Sequence, residues 1–87
     1  MTPEEINLAI GKRLAERRRE LGLSLAQVSK RCSVSLQQIH KYETGHTTLS
    51  VPMLVQLSRC LEAPLNYFID VLEEPALERP VASRGTV

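Results

Sequence analysis

The sequence predicts an all-α fold of five short helices. Three observations point there. Apolar residues recur three and four positions apart in five separate runs, and no run alternates as a half-buried strand would. Each run begins at a capping residue or a proline and stops at a glycine or a polar break. The chain has 87 residues, 43% of them hydrophobic, with no Trp and a single Phe. That supports one small helical core and leaves no volume for a buried substrate pocket.

Helix 1 starts at Thr2-Pro3-Glu4-Glu5. Thr2 caps, Pro3 takes the first helical position, and Glu5 closes a capping box at the positive end of the dipole. Ile6, Ile10, Leu14, Arg17/Arg18 and Leu21 then run at helical spacing to Gly22. Gly11 lies inside this helix at a cost of about 1 kcal/mol relative to Ala. It either admits a close neighbour or is merely tolerated.

Two shorter helices follow within Leu25 to Glu43. Ser24 with Gln27 is a capping box, and Leu25, Val28, Ser29 and Cys32 form one apolar or small face. The period breaks at Ser33-Val34. Ser35 with Gln38 reads as another capping box, Ile39 and Tyr42 point inward, and Gly45 supplies a left-handed stop. About two residues separate the helices, so they must cross steeply, with Val34 as the plug between them. That is a helix-turn-helix. It leaves Leu36, Gln37, His40, Lys41 and Thr44 on the free face of helix 3, side chains suited to a DNA major groove.

After the polar loop His46-Thr47-Thr48-Leu49, Ser50 caps helix 4, with Pro52 in its first turn. Leu54, Leu57, Ser58 and Leu61 form its buried face. Glu62-Ala63-Pro64 breaks the chain, and Leu65, Phe68, Ile69 and Leu72 mark helix 5. From Glu73 the period is lost and two prolines and a glycine appear. The expected organisation is one domain over residues 1–72 and a flexible tail over 73–87.

Net charge is +1, but it is unevenly spread. Residues 1–50 carry eight Lys/Arg against five acids, and residues 51–87 carry three against five. Lys12 to Arg31 holds seven basic residues and two acids, on the half of the chain that carries helix 3. A phosphate-binding surface requires that placement, although a solvated basic helix face would look alike. Cys32 and Cys60 show no metal-ligand spacing. Cys32 reads as a small core residue and Cys60 as partly exposed. A disulfide is open in principle, but no signal peptide places the chain in an oxidising compartment. No apolar run approaches the ~18 residues of a membrane span. The expectation is a soluble, cytoplasmic, nucleoid-associated protein with no cofactor, no metal and no small-molecule ligand. No Ser/His/Asp, Cys/His or paired-carboxylate arrangement suggests an enzyme.

The run IGKRLAERRRELGLSLAQVSKRCSVSLQQIHKYETG, continued by LSVPMLVQLSRCLEAPLNYFI, resembles the xenobiotic-response-element family of the Cro and lambda-type repressors. The resemblance covers roughly residues 6–70. QQIHKYETG is most similar to the family's small single-domain regulators of alphaproteobacteria. Three positions depart from the family pattern. Leu25 replaces a glutamine that touches a phosphate and braces the reading helix, Ser29 replaces a small alanine, and Ser33 replaces the glycine of the turn. Lys12, Arg13 and Gln27 are candidates to replace the lost phosphate contact.

The resemblance implies a five-helix lambda-repressor-like domain that binds double-stranded DNA at an inverted-repeat operator as a homodimer. It also implies an Arg18–Glu43 pair fixing helix 1 to helix 3. On this reading the chain is a transcription regulator, a repressor by expectation. Helix 3 (about 36–44) reads bases through Leu36, Gln37 and Lys41. Arg13, Gln27, Ser35, Gln38, His40, Thr44, His46, Thr47 and Thr48 position the backbone. Of these, Gln38 doubles as the partner of the Ser35 cap, and His40 is either a backbone contact or a plain surface histidine. Tyr67, Phe68, Asp70 and Val71 are expected at the dimer interface, being far in sequence from the reading face. The alternative is a protein-interaction module such as an antitoxin or co-regulator. Leu25 and the modest positive charge favour it.

Overall fold

The computed structural model describes residues 1–72; the expected tail over 73–87 lies outside the described residues. Five α-helices run α1 (Pro3–Glu20), α2 (Leu25–Cys32), α3 (Leu36–Glu43), α4 (Val51–Cys60) and α5 (Leu65–Ile69), and a 3-10 turn (Asp70–Leu72) extends α5. The expected helix 5 is thus split, its last turn tightened to i→i+3 bonding as short helix ends often are. Leu65, one of the four residues that mark helix 5, is exposed at its start.

The caps form largely as their residue types dictate. Thr2 and Ser24 close full capping boxes with Glu5 and Gln27. Ser50 accepts from the Met53 amide at 3.1 Å. At α3 the box is half made. Ser35 Oγ accepts from the Gln38 amide at 3.1 Å, but the Gln38 side chain does not return to the Ser35 amide, contrary to expectation.

The core draws on every helix. Phe68 is fully buried, and Leu57, Leu61, Val28, Leu14 and Ile39 are nearly so, with Tyr42 and Val34 beside them. An internal gap of about 10 Å³ lies among Leu14, Val28, Ile39, Tyr42, Leu57 and Leu61. That is room for about one water and for no substrate. Phe68 is therefore a core residue. Its expected place at a dimer interface is corrected, because it has no surface left to offer a second copy.

Gly11 proves to be required. A Cβ there would stand 2.7 Å from the Glu43 carbonyl oxygen and closer still to that of Tyr42. Only the missing side chain lets α1 meet the backbone at the end of α3. Gly45 does the same from the other side: its φ is +76°, and a Cβ would lie 2.9 Å from Leu8 Cα.

Cys32 and Cys60 are joined by a disulfide, with Cα atoms 5.7 Å apart. The sequence leaves a disulfide open in principle and places Cys32 in the core and Cys60 partly exposed; the two burials hold and the bond is made. Each ends its helix, and the packing of α2 on α4 brings the two ends together. Gln56 Nε2 adds a bond to the Cys32 carbonyl at 2.9 Å across the same seam.

Candidate nucleic-acid interface

The turn between α2 and α3 carries the site. Ser33 takes the left-handed conformation (φ 58°, ψ 42°) that a glycine would occupy without strain. The Val34 amide bonds back to the Ser29 carbonyl at 3.1 Å, and Ser29 Oγ donates to the Val34 carbonyl at 2.6 Å. A hydroxyl thus ties the turn where the family pattern has only a small side chain. Val34, buried, plugs the angle between the helices.

This turn leaves α3 half embedded. Ile39 and Tyr42 face the core, while Leu36, Gln37, His40 and Lys41 are exposed. Leu36 keeps 42% of its surface, an apolar contact available to a thymine methyl. Gln37 and Lys41, one turn apart, project from the same face. At the start of α3 the Leu36 and Gln37 amides precede the first intrahelical bonds and point along the dipole toward any anion placed there. Leu25, where the family has its phosphate-touching glutamine, is partly buried against the core instead.

At the other end of α3 lies an open concavity of about 500 Å³, lined by Gln38, His40, Lys41, Thr44, His46 and Thr47. Helix α3 stops at Glu43, one residue earlier than expected, and Thr44 is its C-cap. Thr44 Oγ1 donates to the His40 carbonyl at 2.8 Å and lies 2.7 Å from His46 Nδ1. The two side chains thus hold one another at the lip of the concavity, with His46 exposed. Thr48 Oγ1 accepts from Asn7 Nδ2 at 3.2 Å, tying the loop to α1.

Arg18 and Glu43 form the pair implied by the resemblance. Nε–Oε2 is 2.7 Å, Nη2–Oε1 is 3.1 Å, and Nη1 donates to the Leu23 carbonyl at 3.0 Å. The hydrogen bond to Glu43 raises the Arg18 pKa, more than burial lowers it. A bidentate, half-buried bridge of this kind sets orientation: it fixes the end of α3 on α1.

The basic cluster is used differently from its expected role. Arg13 Nε donates to the Tyr67 carbonyl at 2.8 Å, Nη1 pairs with Glu16 at 2.9 Å, and the guanidinium lies 3.9 Å over the Tyr67 ring. Arg13 sits about 200° around α1 from Gly11, which faces α3. It is therefore turned to α5 and corrected as a phosphate contact. Arg17 donates to the Leu61 and Glu62 carbonyls at 2.9 Å each, holding the end of α4. Arg31 pairs with Glu62 at 2.7 Å. The sequence signal for these clamps was the placing of Glu16 and Glu20 three residues after Arg13 and Arg17; the carbonyl partners had none. Among the described residues Lys12, Arg19, Lys30, Lys41 and Arg59 make no ion pair. Burial raises the Tyr67 pKa, helped by the Glu20 charge and opposed by Arg13. Of the four expected interface residues, Asp70 and Val71 are exposed and Tyr67 is half-buried under Arg13.

A family model described as HTH_3, helix-turn-helix, matches residues 14–68. The chain belongs to the HTH_3 helix-turn-helix family. This HTH_3 chain is 35% identical over 72 residues to an uncharacterised transcriptional regulator in the ATPase CF(0) region of Rhodospirillum rubrum, covering 83% of the chain and 67% of that protein. It is 35% identical over 78 residues to an uncharacterised HTH-type transcriptional regulator of Rickettsia conorii, covering 90% and 62%. A further HTH-type regulator, of Sinorhizobium medicae, is 31% identical over 68 residues, covering 78% and 49%. The chain thus spans about half to two thirds of the length of these relatives. Among solved structures, an HTH_3 family transcriptional regulator from Vibrio cholerae superposes with a TM-score of 0.75 at 25% identity, covering 79% of this chain and 39% of that one. The restriction-modification controller protein C.AhdI from Aeromonas hydrophila gives 0.67 at 21% identity, covering 70% and 92%, a likeness of fold. The resemblance read from the sequence and the all-α fold both hold.

Proposed function

We propose that this HTH_3 chain regulates transcription by binding a specific site on double-stranded DNA, with α3 in the major groove. The observation that carries the reading is the face of α3. Leu36, Gln37, His40 and Lys41 are exposed together, while Ile39 and Tyr42 anchor the opposite side and Arg18–Glu43 locks the orientation. Gln37 is the adenine reader, Lys41 the guanine donor and Leu36 the methyl contact. Ser35, Gln38, His40, His46 and Thr47 position the phosphate backbone, with the free amide end of Gln27 near the start of α2. Thr44 and Thr48 act chiefly by shaping the loop. The regulator represses, works as a homodimer on an inverted repeat, and pairs through Asp70, Val71 and the outer edge of Tyr67. Its working place is the cytoplasm, on the nucleoid.

The test is binding of Gln37→Ala and Lys41→Ala to a selected operator and to scrambled duplex. Each should lose about 1–3 kcal/mol at the operator only. If both keep the full operator-to-scrambled ratio, α3 is not the reader, and the interaction-module reading takes its place.

A further inference from the structure

We propose that the Cys32–Cys60 pair is a reversible thiol–disulfide switch that sets the rigidity of the turn between α2 and α3. Cys32 is the last residue of α2, and the next residue is the left-handed Ser33. Cys60 is the last residue of α4, two before left-handed Glu62. The bond spans 28 positions of sequence and so closes a loop that contains the whole of α3 and α4. Closing a loop of that length strongly restricts the unfolded and partly open chain. The turn it clamps carries strain at Ser33, so it is the segment most readily loosened once the clamp is gone. Besides the apolar packing of Val28 with Leu54 and Leu57, what remains across the seam is the Gln56 bond to the Cys32 carbonyl and the exposed Arg31–Glu62 pair. Both are weaker than a covalent link.

The chemistry suits reversal. Cys60 is only half-buried, whereas Cys32 is 4% exposed. An incoming thiolate attacks the Cys60 sulfur, forms a mixed disulfide and expels Cys32, which takes up a proton. A second thiol then displaces Cys60, so one disulfide is reduced and one external disulfide is formed. In the other direction the Cys60 thiolate attacks a hydroperoxide, giving the sulfenic acid and, for hydrogen peroxide, one water. The Cys32 thiolate attacks that sulfur, the S–S bond forms and a second water leaves. Two thiols and one peroxide thus become one disulfide and two waters. A chain that works on DNA sits where thiols are generally kept reduced, so a disulfide there is a transient, sensing state. That step of the argument rests on the DNA-binding reading; the coupling of the bond to the turn does not.

The experiment uses the full chain in glutathione buffers from reducing to oxidising, and separately with hydrogen peroxide. Maleimide adducts formed on acid quench and unfolding in denaturant are counted by mass, melting is followed by circular dichroism, and amide exchange is read over residues 29–36. Expected are two adducts in the reduced form and none in the oxidised form, interconverting within the buffer series. The reduced chain should melt roughly 10–25 °C lower, with exchange over 29–36 at least tenfold faster. Cys60→Ala, with one adduct in place of two, should melt and exchange like the reduced chain with or without peroxide. Cys32→Ala checks the same point from the buried side. A pair that stays in one state across the whole series overturns the proposal. So does unchanged exchange over 29–36 between the two forms. A mixed genomic duplex serves as a separate arm. If exchange switches but neither form binds duplex, the switch stands and the DNA reading falls.

Discussion

Gly11→Ala measures how closely α1 and α3 are engaged. By helix propensity alone the change should stabilise α1 by about 1 kcal/mol. The structure sets a larger cost against it. The added Cβ would lie 2.7 Å from the Glu43 carbonyl oxygen and 2.9 Å from its carbon, with the Tyr42 carbonyl nearer still. Ordinary C···O contacts are about 3.3–3.6 Å, so the end of α3 would have to retreat by roughly an ångström. The obstacles are backbone atoms, which no rotamer change can clear. That end is also held by the bidentate Arg18 bridge and by Gly45 against Leu8. Overpacking of this kind costs about 1–3 kcal/mol, and more where the neighbour is rigid. With rigid backbone as the obstacle the upper end applies, about 3 kcal/mol, and set against the propensity gain the net is about 2 kcal/mol of destabilisation. For a domain of this size the melting midpoint should fall by roughly 8–16 °C. The assay is thermal and urea melting of the full chain, oxidised throughout so that the disulfide does not vary. A midpoint equal to or above that of the wild type would refute the reasoning and show that Gly11 is merely tolerated.

Ser33→Gly should raise stability by about 1 kcal/mol, because glycine takes φ 58° without the Cβ penalty; an unchanged or lower urea midpoint would contradict the strained turn. Arg18→Met should cost about 3 kcal/mol by leaving Glu43 half-buried and unpaired, and Arg18→Met with Glu43→Leu should recover part of it. A double-mutant cycle checks this, and strict additivity would mean the two side chains do not act as a unit. Tyr67 holds its proton above the ordinary tyrosine pKa of about 10, through burial first and then the Glu20 charge. Its contribution to stability is therefore fully present below about pH 10 and is lost as pH rises through the folded-state value. Phenolate absorbance, with Tyr67→Phe as the blank, should show late ionisation; ionisation at or below the free-tyrosine pH would contradict burial of the ring and the Glu20 charge as the influences that outweigh Arg13.

Local signals carried the helices. Thr2, Ser24, Ser35 and Ser50 each accept the third amide of the helix they start, since a cap needs only its own few residues. Val28, Ile39, Tyr42, Leu54 and Leu57 are buried as their three- and four-residue spacing requires, and Ser33 takes the backbone conformation that its place in the turn demanded. The exposed set on α3 follows from the same periodicity. The Arg18–Glu43 pair came from the family pattern alone, because 25 positions of sequence separate the two.

Tertiary structure decided the rest, wherever two distant stretches meet. Arg13 and Lys12 are neighbours in the sequence and equally basic, yet Arg13 is spent on the Tyr67 carbonyl and ring because its side of α1 faces α5. Phe68 looked available for a partner, but the angle of α5 on α1 and α4 puts it at the centre of the core. Gly11 was ambiguous until α3 was placed against it. Cys32 and Cys60 each read as an ordinary helical position, and only the packing of α2 on α4 sets their Cα atoms 5.7 Å apart. The sequence by itself determined which residues start, stop and face inward, because those choices rest on hydrogen bonds and periods within a few residues. What each inward or charged group then touches depended on how the helices pack, and that is a property of all of them at once.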